Sequence, residues 1–286
     1  MTDMSSASST PTVVLVHGAF ADASGWASVI ERLMAASVPV RAVVNPLRGI
    51  SADSDYVASV IRQIPGPVLA VGHSYGGAVI TNAGSMADNV VGLVYVAAFA
   101  PDEGESLQEI EGGSRDSILP SALRQTDYPV GSGSDVMGEL SIDLTLFHEA
   151  FAADLPEQQA AVMARSQRPV SVAAFGEKTG APAWKKLPSW AVVATKDKAA
   201  GTDVVLSMAR RAAAEITQVD ASHVPMMSQP GVVTDVILKA AKESPDRGEC
   251  PVMTGLPTGP ADASKPWPRR RVLGPGGRPW HRRESV

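Results

Sequence analysis

The sequence predicts an α/β protein: a doubly wound, mostly parallel sheet with a small helical cap inserted over the carboxyl ends of its strands. Three observations predict it. Short runs that are apolar throughout alternate with amphipathic helical stretches, the pattern of a parallel sheet covered on both faces. The alternation breaks for one interval, about 103–188, and then resumes. A length of 286 residues with 44% apolar content suits one α/β core carrying an insertion, and excludes a disordered or fibrous chain.

The elements follow in order. Val13 to Val16 is an apolar run opening on His17-Gly18, which suits a buried strand. From Ala23 to Ser37, Trp26, Val29, Ile30, Leu33 and Met34 recur at helical spacing. A second strand runs from Val38 to Val44 and stops at Asn45-Pro46. The next helix, Asp53 to Ile64, gathers Val57, Val60, Ile61 and Ile64 on one face, and Pro65-Gly66-Pro67 ends it. A strand at Val68 to Val71, a helix at Gly76 to Met86 and a strand at Val90 to Ala97 come next. Two more strands, Trp190 to Ala194 and Glu215 to Val219, are followed by helices at about 202–213 and 231–243. Right-handed crossovers make such a sheet doubly wound, and its ligands sit outside the carboxyl ends of the strands.

The interval 103–188 holds turn-rich pieces around Gly112-Gly113-Ser114 and Gly131-Ser132-Gly133-Ser134, and helix-like pieces near 143–153 and 156–166. A structureless loop of that length is uncommon, so a mostly helical cap is the expectation. The organisation expected is a flexible N-terminus over 1–11, a domain over 12–243 with its cap, and a disordered tail over 244–286. Residues 245–286 hold eight Pro and six Gly among 42 positions, with seven Arg and one Lys against four acids. That sets the tail at +4 and the remainder at −9, out of a net −5. Arg269-Arg270-Arg271, with Trp267 and Trp280 nearby, could hold an anionic partner; a solvated extension without a role is the favoured reading.

Composition excludes several functions. A net charge of −5 argues against a nucleic-acid footprint. The one cysteine, Cys250, can form neither an internal disulfide nor a thiolate metal cluster. The apolar stretch Val90 to Ala100 is about half what a membrane-spanning helix needs. The first residues carry no basic and then apolar run of a secretory signal, so a cytoplasmic protein is expected.

Gly72-His73-Ser74-Tyr75-Gly76-Gly77 is the only G-x-S-x-G in the chain, with a strand before it and a helix after. A serine there sits on a sharp turn that exposes its hydroxyl, and small neighbours let strand and helix approach. The helix N-terminus aims free N–H groups where an oxyanion would form. A neutral serine needs a base. Of five histidines, His17 and His73 belong to their own turns, His148 falls in the cap and His281 in the tail, leaving His223 directly after the last strand. The base needs a carboxylate, and Asp197 stands just past the strand Trp190 to Ala194. Asp102 and Asp220 compete: Asp102 ends another strand on the same rim, and Asp220 lies three residues before His223. The order Ser74, Asp197, His223 favours Asp197. The oxyanion donors expected are the N–H groups of Tyr75 and Ala19, with Phe20 the weaker candidate and Gly18 permitting close approach. Substrate-contact candidates are Gly18, Phe20, Phe147, His148 and Trp184, with Phe151 and Tyr75 beside them.

Together, His17-Gly18-Ala19-Phe20, the Ser74 motif, Asp197 and Ser222-His223 resemble the α/β-hydrolase superfamily over about 12–243. The chain looks closest to its compact branch of plant methyl esterases, hydroxynitrile lyases and bacterial small-ester hydrolases. The resemblance implies a sheet that starts at the third strand of the eight-stranded family pattern. It also implies a serine esterase. Small to medium, largely apolar, uncharged esters are expected because no arginine or lysine cluster is visible beside the catalytic loops. The triad chemistry needs no metal or organic cofactor. The branch's lyases carry a lysine after the catalytic histidine and a threonine beside the first-strand histidine, where this chain has Val224 and Gly18. Both departures point to ester hydrolysis. The alternatives are a carbon–carbon lyase, a cofactor-free haloperoxidase or perhydrolase on the same triad, and a non-enzymatic hormone-receptor-like binder. The partners expected are a small-molecule ester and no nucleic acid or membrane, with a homodimer as the oligomer to test.

Overall fold

Residues 10–131 and 133–244 are described by the computed structural model. Strand β1 (Thr12–Val16) leads through a short 3-10 turn (Ala23–Trp26) into α1 (Ala27–Ala35) and β2 (Val40–Val43). Helix α2 (Ile50–Arg62) precedes β3 (Val68–His73), α3 (Tyr75–Met86) and β4 (Val90–Val96). The cap then contributes α4 (Leu107–Gly112), α5 (Leu119–Ala122), β5 (Leu123–Pro129), β6 (Val136–Ile142), α6 (Phe147–Phe151), α7 (Glu157–Ser166), β7 (Val170–Ser171) and α8 (Val172–Gly176). The core resumes with β8 (Ser189–Ala194), α9 (Thr202–Arg211), β9 (Glu215–Val219), α10 (Pro225–Ser228) and α11 (Pro230–Glu243).

Six strands form one sheet in the order β2-β1-β3-β4-β8-β9, and every pairing is parallel. Each residue of β3, β4 and β8 is buried, which is why these strands read as continuous apolar runs rather than alternating ones. Helices α1 and α11 pack together, as do α2 and α3, the arrangement that right-handed crossovers impose on the two faces. The strand order reverses between β1 and β3. The loops after those two strands therefore face one crevice, where open α/β sheets bind ligands.

The cap has its expected helices and, in addition, a three-stranded antiparallel sheet, β5-β6-β7, that the sequence reading lacked. Leu123 pairs with Ile142 and Pro129 with Val136, and the chain turns back past Gly131 at φ 67°. Residues 124–127 of β5 are Arg, Gln, Thr and Asp, and all four are exposed. A strand that buries no apolar face leaves no period-two signal, so only its turn residues were readable.

The helix expected from Ala23 to Ser37 is divided. Asp22 accepts the Ser24 N–H at 2.7 Å and caps the 3-10 turn, after which α1 runs only to Ala35 and Met34 is 65% exposed. Among the described residues no helix is long and apolar enough to cross a membrane. Residues 1–9 and 245–286 lie outside the description, and with them most of the expected tail, including Cys250 and the arginine run.

Candidate active site

Ser74 occupies the junction of β3 and α3 at φ 52° and ψ −126°, a conformation costly for a residue with a side chain. The surrounding backbone holds it there. Its N–H donates to the Val96 carbonyl at 3.3 Å, and its carbonyl accepts from Gly77 N–H at 2.9 Å and Phe99 N–H at 3.2 Å. Gly76 is required by the approach of α3 to β1, since a Cβ there would stand 2.4 Å from the Val16 carbonyl oxygen. Gly18 lies directly against Ser74: a Cβ on it would meet the Ser74 Cβ at 2.6 Å. The loop His17–Phe20 is thereby pressed onto Ser74, as the crevice between β1 and β3 implies.

His223 and Asp197 meet at the same rim. The loop after β8 lies alongside the loop after β9, because Lys196 N–H donates to the Ala221 carbonyl at 3.1 Å. His223 Nδ1 then donates to Asp197 Oδ2 at 2.8 Å, with both side chains 1% exposed. The other carboxylate oxygen of Asp197 accepts the N–H groups of Ala199 and Ala200 at 2.9 and 3.0 Å. Asp197 thus engages Nδ1 and leaves Nε2 as the ring nitrogen available for proton exchange, the arrangement a general base requires. Its ring packs against Phe151 and His73 at centroid distances of 4.9 and 4.8 Å.

His73, the residue before Ser74, donates from Nε2 to the His223 carbonyl at 2.9 Å. Burial, reinforced by His223, pushes its pKa well down, so His73 is neutral and serves as a brace. The competing carboxylates are engaged elsewhere. Asp102 pairs with Lys185 at 2.5 Å and Asp220 with Lys196 at 2.7 Å.

Tyr75 opens α3, whose first N–H groups have no carbonyl one turn back. Its side chain turns inward, where the hydroxyl donates to Asp53 Oδ2 at 2.8 Å. Asp53 also accepts the Arg48 N–H, and burial holds its carboxyl above the usual range. Phe20, at φ 59°, packs edge-on to Phe151 and stacks with Phe175. Beside it a surface depression next to the His223 loop is lined by the apolar Phe20, Phe151, Met163, Val224, Met226 and Met227, and also by the polar Asp22, Ser24, Ser166 and Gln167.

Gly18 and Phe20 thus lie on the loop packed against Ser74; Phe147, His148 and Trp184 are not placed at the depression. Phe147 is fully buried behind Phe151 at 5.0 Å, and His148 Nε2 hydrogen-bonds the Leu155 carbonyl. Trp184 donates its indole N–H to the Pro101 carbonyl and lies between Lys185 and Arg211. Aromatics in a cap with no readable period fill its own core first. Sequence reasoning missed Phe175 and Glu111. Glu111 is 6% exposed, its carboxyl 3.2 Å from the Ser117 hydroxyl, and burial together with the Asp197 charge pushes it up to about 7. Among the described residues no group of three or more His, Cys, Asp and Glu is placed to hold a metal ion.

Residues 13–236 match the family model described as the alpha/beta hydrolase family. The chain belongs to the alpha/beta hydrolase family. One relative, "Probable hydrolase R7" of Phoma sp. (strain ATCC 20986 / MF5453), is 28% identical over 254 residues, 81% of this chain and 98% of that protein. The "Carbendazim hydrolyzing esterase" of Nocardioides sp. (strain SG-4G) is 32% identical over 123 residues, 38% of this chain and 48% of that protein. Among solved structures, a methylesterase from Arabidopsis superposes with a TM-score of 0.66 at 19% identity, covering 81% of this chain and 99% of the other. The likeness is one of fold, and it accords with the six-stranded parallel sheet.

Proposed function

We propose that this protein is a serine esterase that cleaves small to medium, largely apolar, uncharged carboxylic esters through an acyl-enzyme. Ser74 attacks the acyl carbon while His223, oriented by Asp197, takes the hydroxyl proton. The N–H groups of Tyr75 and Ala19 stabilise the tetrahedral oxyanion, each worth roughly 3 kcal/mol of barrier. His223 then protonates the departing alcohol, and a water activated by the same imidazole releases the acid and restores Ser74.

The observation that carries this reading is the buried His223–Asp197 pair, 2.8 Å apart, at the sheet rim where the strained Ser74 elbow stands. The esterase named among the relatives supports ester chemistry, and the Met- and Phe-lined depression supports an apolar substrate. Cytoplasmic residence belongs to the same proposal. Val224 and Gly18, in place of the lyases' lysine and threonine, argue against carbon–carbon cleavage.

A panel of p-nitrophenyl esters of rising acyl length tests the proposal. Turnover of the short and medium esters, lost in a folded Ser74→Ala variant, is the expected result. A preference for long acyl chains alone contradicts the substrate class, and full turnover by Ser74→Ala contradicts the mechanism.

A further inference from the structure

Besides the packing of Phe20 on Phe151 and Phe175, a polar contact joins the cap to the His17–Phe20 loop. Arg168 lies between α7 and β7, and its guanidinium donates to the Asn45 carbonyl at 2.9 Å and stands 3.3 Å from His17 Nε2. Asn45 N–H donates to the same Nε2 at 2.9 Å, and the Asn45 amide donates to the His17 carbonyl at 3.2 Å. A guanidinium and a backbone N–H can only donate. His17 Nε2 is therefore the lone-pair nitrogen, and the ring proton sits on Nδ1.

That proton has one acceptor, the Gly18 carbonyl at 2.8 Å. The Gly18–Ala19 peptide is planar and trans, so its N–H points opposite to its C=O. Holding the Gly18 carbonyl on one side therefore aims the Ala19 N–H to the other. Gly18 itself is packed against Ser74. A peptide plane free to rock would lose that aim.

We propose that Arg168 is a positioning residue for the oxyanion loop: from the cap it pins His17 in its Nδ1–H form, and His17 in turn orients the Ala19 N–H. The role given to Ala19 rests on the esterase reading; the chain of hydrogen bonds from Arg168 to Gly18 does not. The groups facing His17 are Arg168 from the cap, Asp22 from its own loop and His73 from β3. Burial and the Arg168 charge hold His17 low, against the Gly18 hydrogen bond and Asp22. The cap and the catalytic loop are thus coupled: the oxyanion site is complete only when the cap sits where Arg168 can reach.

The test pairs kinetics with NMR on the full chain. In Arg168→Met, kcat for a p-nitrophenyl ester is expected to fall about tenfold or more with KM little changed, because a misaimed donor is felt mainly in the transition state. Arg168→Lys, which keeps a charge and a donor, is expected to recover most of kcat. In 15N-histidine spectra His17 is expected to titrate at a higher pH in Arg168→Met than in the wild type, and to return towards wild type in Arg168→Lys. Should Arg168→Met not fold, Arg168→Gln carries the same expectation. Unchanged kcat and unchanged His17 titration overturn the proposal. So does a rise in KM with kcat intact, the mark of a cap that merely shapes the pocket. If the wild type cleaves no ester and the His17 titration still moves, the esterase reading fails and the Arg168–His17 coupling stands.

Discussion

Replacing Glu111 with glutamine is expected to make the protein more resistant to urea, increasingly so as the pH rises. Glu111 is buried in α4, close enough to Asp197 to feel its charge, and its carboxyl titrates near 7 against an ordinary value of 4.5. The folded chain therefore binds this proton more tightly than the unfolded chain does. Stability falls as pH climbs from 4.5 through about 7 and is level above that, because the folded state must then hold a buried negative charge. The gap of 2.5 units between those two values corresponds to about 3 kcal/mol when fully expressed. Between about pH 5 and about pH 8.5 most of that should appear. Glutamine keeps the shape and a polar end for Ser117 but has nothing to ionise. The assay is urea unfolding of both proteins across that pH range. The stability difference between Glu111→Gln and wild type should widen by roughly 2 to 3 kcal/mol in favour of the variant. A difference that stays constant with pH refutes the reasoning.

Two further substitutions separate the carboxylates that compete for His223. Asp197→Asn leaves the site's shape but reverses the hydrogen bond to Nδ1, and kcat is expected to fall by about four orders of magnitude. Asp102→Asn breaks only a pairing with Lys185 at the surface, and kcat measured on the same ester is expected to stay within about threefold. Comparable losses in both variants would contradict the assignment of Asp197.

The sheet was legible because its strands are buried on both sides, so β3, β4 and β8 stand out as unbroken apolar runs. The elbow was legible because the glycines at 72 and 76 flank a serine between a strand and a helix, and close backbone approach leaves few other residues possible. His223 emerged by elimination, and the choice of Asp197 over Asp102 came from chain order alone. The cap gave little. Its hairpin strands are mostly exposed, so no alternation marks them, and the cap aromatics Phe147 and Trp184 gave no sign of which way they face. The contact of Arg168 with His17 spans 151 positions and involves two loops. Nothing local in either segment predicts it, because tertiary placement and not periodicity brings them together. Glu111 was hidden for the same reason: a glutamate in a short helix reads as a solvent-facing residue until Ser117 and the Asp197 loop are seen to enclose it.

The account stands or falls on Ser74 being a nucleophile activated by His223. Mass spectrometry of the protein after exposure to a fluorophosphonate measures this directly. One adduct per chain is expected, located on Ser74, absent from Ser74→Ala and formed far more slowly by a folded His223→Ala variant. An unmodified Ser74, or labelling that proceeds at the wild-type rate without His223, would contradict it.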